Sequence, residues 1–241
     1  QYGAVGDGVT DDTLSIQAFI DTPLIGDVNF PLGVYLITDT LRIKRGTALV
    51  GTSTFDDQAS AVIKRGDNMD VPMVATEKYF GGDITHYYVL KGLCLDGNAD
   101  NQTVMVEAIA MWGAFVGSYI DNVFVTNNYG PAITFEYAYD VYVGLFWANR
   151  CVVGNRATIE IDQTQVASGP IGLLEFGSLY IENVSVTGVG GIPQSTPGNR
   201  GVAIKAGNIG RLHVKAFHSE ACDIVLDLTH GTNDNQAIPL E

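Results

Sequence analysis

Leu90-Lys91-Gly92-Leu93-Cys94-Leu95 and Ile120-Asp121-Asn122-Val123-Phe124-Val125 align without a gap. Each places apolar side chains at its first, fourth and sixth positions. The last two are two residues apart, as one face of a strand requires. Gly92 or Asn122 before the fourth position suits a bend between short strands. Three later runs fit the same template: Tyr142 to Trp147, Ile181 to Val186, and Ile209 to Val214. Each is followed by a second apolar run: Ala108–Ala110, Ile133–Phe135, Ile159–Ile161, Val202–Ile204 and Ile224–Leu226. From Leu93 the fourth position recurs after 30, 22, 39 and 28 residues. A constant internal pattern at variable spacing is what a solenoid produces, because insertions leave as loops while the coils stay in register. The pattern predicts an all-β fold, a right-handed single-stranded parallel β-helix with a short N-terminal capping helix. A β-sandwich also has many short alternating strands, but it does not need the same side-chain order in every coil.

Composition narrows the partners. The net charge is −14, from 27 acidic and 13 basic residues in 241. That sign opposes binding to nucleic acid and to anionic membranes, and leaves a polyanionic glycan only a local cationic patch to bind. No apolar run is long enough to span a bilayer, so membrane insertion is not expected. The three cysteines, Cys94, Cys151 and Cys222, have no metal or redox spacing. The chain starts at Gln1 inside a continuing motif and ends in Leu240-Glu241, which reads as a fragment.

Residues 1–32 read as an N-terminal loop and capping helix, and residues 33–241 as coils, truncated at the C-terminus. Thr10 or Asp11 is placed to cap the helix, with Leu14, Ile16, Ala18, Phe19 and Ile20 forming its apolar side. Gly3, Gly6 and Gly8 precede it, but no P-loop lysine follows and Asp7, Asp11 and Asp12 would repel a phosphate. The string Tyr2-Gly3-Ala4-Val5-Gly6-Asp7-Gly8-Val9-Thr10-Asp11-Asp12-Thr13 resembles the start of pectate-lyase-superfamily β-helix domains. So does Phe30-Pro31-Leu32-Gly33-Val34-Tyr35-Leu36-Ile37. The resemblance implies that the helix seals the open end of the stack, where strand edges would otherwise be exposed. The superfamily includes phage tailspikes, lyases, hydrolases and epimerases, so its fold does not select a reaction.

The repeat pattern also predicts columns of outward side chains. On the first sheet it puts Phe124 beside Phe146, an aromatic pair suited to a sugar ring, a subunit contact or a packed loop. On the second sheet it gives Trp112, Glu136, Asp162, Lys205 and Asp227 in one column and Glu160 in the next. Neighbouring carboxylates raise one another's proton affinity, so Glu136, Asp162 and Glu160 are candidate acid, base or nucleophile. Lys205, expected beside Asp162, would stabilise charge developing on a uronate. A solvated acidic face or an acid–lysine lattice would give the same residues. Trp112, Phe124, Phe146 and Asp227 are the candidate substrate contacts. No metal site or cofactor is expected: His213 and His218 differ in strand position, and Asp96-Gly97-Asn98 lacks calcium-loop spacing. The polygalacturonase pattern of several aspartates followed by Gly-His-Gly and Arg-Ile-Lys is missing, since Arg42-Ile43-Lys44 lies in the wrong region of the chain.

By resemblance, the expected protein is a phage tailspike or tail appendage that binds host surface polysaccharide, with or without cleaving it. It would be a homotrimer on the virion tail. A secreted bacterial polysaccharide lyase or glycoside hydrolase is the alternative, and a non-enzymatic structural or adhesin module the third.

Overall fold

The computed structural model describes residues 3–22, 26–52, 60–161, 171–186, 200–207 and 209–227. The chain opens with β1 (Asp7–Asp11), α1 (Thr13–Ile20), β2 (Asp27–Asn29), β3 (Gly33–Ile37), β4 (Leu41–Ile43), β5 (Ala48–Val50) and β6 (Ala61–Arg65). Next come β7 (Val74–Thr76), β8 (Thr85–His86), β9 (Val89–Asp96), β10 (Ile109–Trp112), β11 (Ala114–Phe115) and β12 (Tyr119–Thr126). It continues through β13 (Ile133–Glu136), β14 (Val141–Asn149), β15 (Ala157–Ile161), β16 (Ile171–Glu182), β17 (Val202–Ala206), β18 (Ile209–Glu220) and β19 (Ile224–Asp227). The first sheet runs β1-β3-β6-β9-β12-β14-β16-β18, with β2 and β5 alongside. The second runs β4-β7-β10-β13-β15-β17-β19, and every pairing within these two sheets is parallel. The chain is a right-handed parallel β-helix.

Each long first-sheet strand turns its apolar side inward twice, with a bend between. Leu90, Leu93 and Leu95 point to the core, as do Ile120, Val123 and Val125. The bend falls on Gly92 and Asn122, both left-handed at φ 64° and 52°. These two coils have the predicted register, Val123 opposite Leu93. The third coil differs by one residue: Ile120 pairs with Val143, not Tyr142. A one-residue slip exchanges the faces of a strand. Phe146 is therefore fully buried in the core, and Trp147 faces outward beside Phe124. In the fourth coil the inward residues are Phe176, Leu179 and Ile181, in register with Val143, Phe146 and Ala148. The run starting at Ile181 instead crosses a corner at Asn183, left-handed at φ 53°, like Asn127 and Arg150 before it. The fifth coil likewise registers through Val214, opposite Phe176, and not through Ile209.

The corners carry amide contacts in place of a packed core. Asn183 Nδ2 donates to Asn149 Oδ1 at 3.0 Å, and Asn127 Nδ2 to Asp96 Oδ1 at 3.2 Å. The fully buried Asn128 donates to the carbonyls of Val106, Gly130 and Pro131.

At the N-terminal end, β1 and β2 join the first sheet, so residues 1–32 contribute strands as well as a loop and helix. Asp12, not Thr10 or Asp11, is the N-cap residue of α1. Its carboxylate turns away from the helix and accepts the backbone N–H groups of Val5 and Gly6. The glycine loop thus closes on its own acid. Thr13, Ile16 and Ile20 form the buried side of α1, whereas Leu14 and Phe19 are exposed. Gln17 reaches β4, the terminal strand of the second sheet. It accepts Arg42 N–H at 2.9 Å and donates to Arg42 C=O at 3.2 Å, replacing a neighbouring strand.

Candidate functional site

On the second sheet, Trp112 pairs with Glu136, as predicted. Glu160 pairs with Thr134 on one side and Lys205 on the other. Lys205 is thus beside Glu160, two residues from the predicted register. A shift of two keeps the outward face but changes the neighbour. Asp227 follows Lys205. Asp162 lies outside the described residues. Glu136 and Glu160 are buried, at 7% and 5% exposure.

Arg156 offsets the burial of Glu160 and of Glu107, which is also buried. Its Nε and Nη2 donate to Glu160 Oε2 at 3.0 and 2.6 Å, and Nη1 reaches Glu107 Oε2 at 3.3 Å. Glu160 Oε1 also accepts Ala157 N–H at 3.2 Å. Burial opposes the charge on Arg156, but the Glu160 and Glu107 contacts outweigh it and raise its pKa. Tyr79 covers the cluster, its ring 4.7 Å from that of Trp112. Trp112 donates its indole N–H to Thr134 at 3.0 Å. Burial pushes the Tyr79 phenol up, with Glu107 adding to the effect and Arg156 opposing it. Glu160 is therefore an acceptor whose oxygens are already bonded, and the ionic cluster is a clamp between coils.

The first sheet has a more open chemical face. Tyr119 pairs with Tyr142, and their rings stack at 5.5 Å and 5°. Tyr142 pairs with Glu175, and Glu175 with His213. Lys215 Nζ is 2.5 Å from Glu175 Oε1 and 5.9 Å from the Tyr142 ring centroid. Arg211 adds a third basic residue to β18, two before His213 and four before Lys215. The hydrogen bond from Lys215 lowers the Glu175 pKa most, and the charges of Lys215, His213 and Arg211 lower it further. Burial pushes the Tyr119 phenol up to about 12, helped by its hydrogen bond to Asp121 and that carboxylate's charge. Asp121 is also held by Leu145 N–H at 3.0 Å. Residue 144 has to be glycine for this, since a Cβ there would lie 2.3 Å from Asp121 Oδ1.

Sequence reasoning missed this constellation because the register error moved β16 and β18 by five residues. Beside it runs a second outward column, Val62–Cys94–Phe124–Trp147–Tyr180–His218. The Phe124 and Trp147 rings are 5.0 Å apart, Trp147 and Tyr180 6.1 Å, and Tyr180 and His218 5.6 Å. An aromatic column does exist, but Trp147 replaces Phe146 in it.

The chain belongs to a family of parallel β-helix proteins. It is a member of the rhamnogalacturonase A/epimerase, pectate lyase-like family, whose model matches residues 1–171. Among curated proteins, mannuronan C5-epimerase AlgE4 of Azotobacter vinelandii is 34% identical over 116 residues, covering 44% of this chain and 20% of AlgE4. Alginate lyase 7 of the same organism is 33% identical over 106 residues, covering 42% of this chain and 12% of that protein. The chain thus spans a small part of these relatives. Among solved structures, one from Parabacteroides merdae superposes with TM-score 0.58 at 15% identity, covering 93% of this chain and 92% of that one. ORF18 of Geobacillus virus E2 superposes with TM-score 0.60 at 18% identity, covering 89% of this chain and 41% of that one. Both share the fold. No helix among the described residues is long and apolar enough to cross a membrane.

Proposed function

We propose that this β-helix binds an acidic polysaccharide outside the cell and acts at the C5 hydrogen of its uronate residues. The observation that carries the reading is the basic series Arg211, His213 and Lys215 beside the stacked Tyr119–Tyr142 pair, in a chain of net charge −14. The names of the curated relatives, a mannuronan C5-epimerase and an alginate lyase, support the same chemistry. Both reactions require loss of the hydrogen next to a sugar carboxylate. Lys215, whose ammonium has donors beyond the one it gives Glu175, and Arg211 would neutralise that carboxylate, which stabilises the charge that develops as the C–H bond breaks. His213 and the tyrosine phenols supply groups of the types that give and take protons. Tyr142, stacked on Tyr119, adds a partly exposed aromatic edge to this face for a sugar to contact.

In this reading the second-sheet residues Glu136, Glu160 and Lys205 support the scaffold, and Trp112 and Asp227 flank them. Lys215→Met is expected to weaken binding to a polyuronate at least tenfold while leaving weak binding to a neutral glucan unchanged. Affinity electrophoresis at two salt concentrations reads both. The opposite pattern, with loss in Glu136→Gln or Glu160→Gln and none in Lys215→Met, would return the site to the second sheet.

A phage tail appendage, homotrimeric and on the virion, is the second reading. Fold likeness to the viral ORF18 supports it, whereas the curated relatives favour a secreted polysaccharide-modifying enzyme. Light scattering on purified protein distinguishes trimer from monomer.

A further inference from the structure

The strand register brings Glu182 beside His218 and Glu220, some 36 and 38 residues further along the chain. Glu182 pairs with Glu220 across β16 and β18, and Tyr180 pairs with His218 one step earlier on the same outer face. His218 Nε2 is 3.6 Å from Glu182 Oε1 and 3.9 Å from Glu220 Oε2. One ligand atom from each of the three falls within 4.8 Å of the others. We propose that Glu182, His218 and Glu220 bind a divalent transition ion of the zinc class.

Three arguments carry this. First, two glutamates directly opposite on adjacent strands repel each other, and a shared cation removes the repulsion. Second, one imidazole nitrogen with two carboxylate oxygens suits zinc, nickel or copper better than calcium or magnesium, which take oxygen ligands. Third, the ligands are solvent-accessible but partly pre-positioned. The His218 ring lies 5.6 Å from that of Tyr180 at 39°, and the Glu182 carbonyl is fixed by Arg150 N–H. The side chains of His218 and Glu220 are 50% and 71% exposed, so small rotations close the remaining distance to the ion. Three protein ligands leave coordination positions for water or a sugar oxygen. A bound ion would also tie β16 to β18.

The site is distinct from the Tyr142–Lys215 face, and its test does not depend on the activity proposed there. Isothermal titration of the full chain with zinc chloride should give one saturable site. His218→Ala and the Glu182→Gln/Glu220→Gln double variant should each weaken it at least tenfold. These side chains are exposed or half-buried at a strand end, so the variants should fold; circular dichroism checks this. Zinc at a hundredfold excess over Kd should raise the wild-type Tm by about 5 °C and leave the His218→Ala Tm in place. Cobalt(II) should report histidine ligation by visible absorption that His218→Ala removes. Absence of a saturable site, or equal binding by wild type and His218→Ala, would overturn the assignment. Tighter binding of calcium than zinc would overturn the ion class.

Discussion

Phe146 and Trp147 show how much rests on a single position. Their neighbours in sequence are unremarkable, yet one fills the core and the other faces out beside Phe124. Phe146→Ala should cost about 3–5 kcal/mol, the usual loss for a large buried ring, whereas Tyr180→Ala, at 40% exposure, should cost less than about 1 kcal/mol. Urea denaturation of the two variants checks the difference. Tyr119 makes a second prediction. Its pKa is raised to about 12 in the folded chain, against about 10 for an ordinary tyrosine. The folded state therefore holds this proton more tightly than the unfolded state. The resulting stability is complete below about pH 10 and is lost as pH rises towards 12. Tyr119→Phe should flatten that part of the stability–pH curve, measured by denaturation at stepped pH. An unchanged curve would remove Tyr119 as its cause.

At the scale of strands, the first two long coils were legible because Gly92 and Asn122 mark the bend as well as the apolar positions. The third failed because Tyr142 is apolar enough to stand in for Val143, and period-two alternation does not distinguish neighbouring starts. The fourth and fifth failed because Ile181 and Ile209 head runs with the same apolar spacing as the template, displaced by five residues from the true register. On the second sheet the shift of two preserved the outward face of Lys205, so its orientation was readable and its partner was not. The ionic clamp was harder still. Glu107 and Arg156 lie outside the short apolar runs, and only the coil geometry brings Glu107 to Arg156 and Glu160. Arg156→Leu leaves Glu107 and Glu160 buried without their shared cation. It should cost about 2–3 kcal/mol, below the fully buried case because Arg156 is one-third exposed. Adding Glu107→Gln and Glu160→Gln should recover part of the loss. Equal stability of the single and triple variants, by thermal denaturation, would show that the three do not act as a unit.

At the scale of the molecule, a solenoid turns position within a coil into a column along the axis. Chemistry therefore depends on register more than on local motif. The fold could be read from the repeat because every coil solves the same packing problem. The candidate site could not, because its members come from β12, β14, β16 and β18 and carry no common sequence signal. The central claim is that this open face activates the C5 hydrogen of a uronate. The most direct measurement is proton NMR of a polymannuronate and a polygalacturonate incubated with the chain in heavy water. It detects loss of H5 for both outcomes: epimerisation replaces it with solvent deuterium, and elimination leaves a C4–C5 double bond with a vinylic H4 signal. Loss of the H5 signal in at least one polymer with wild type, by deuterium at C5 or by a new vinylic H4, slowed at least a hundredfold in Lys215→Met and retained in Glu160→Gln, is the predicted result. No loss of H5 in either polymer, or loss untouched by Lys215→Met, would contradict it.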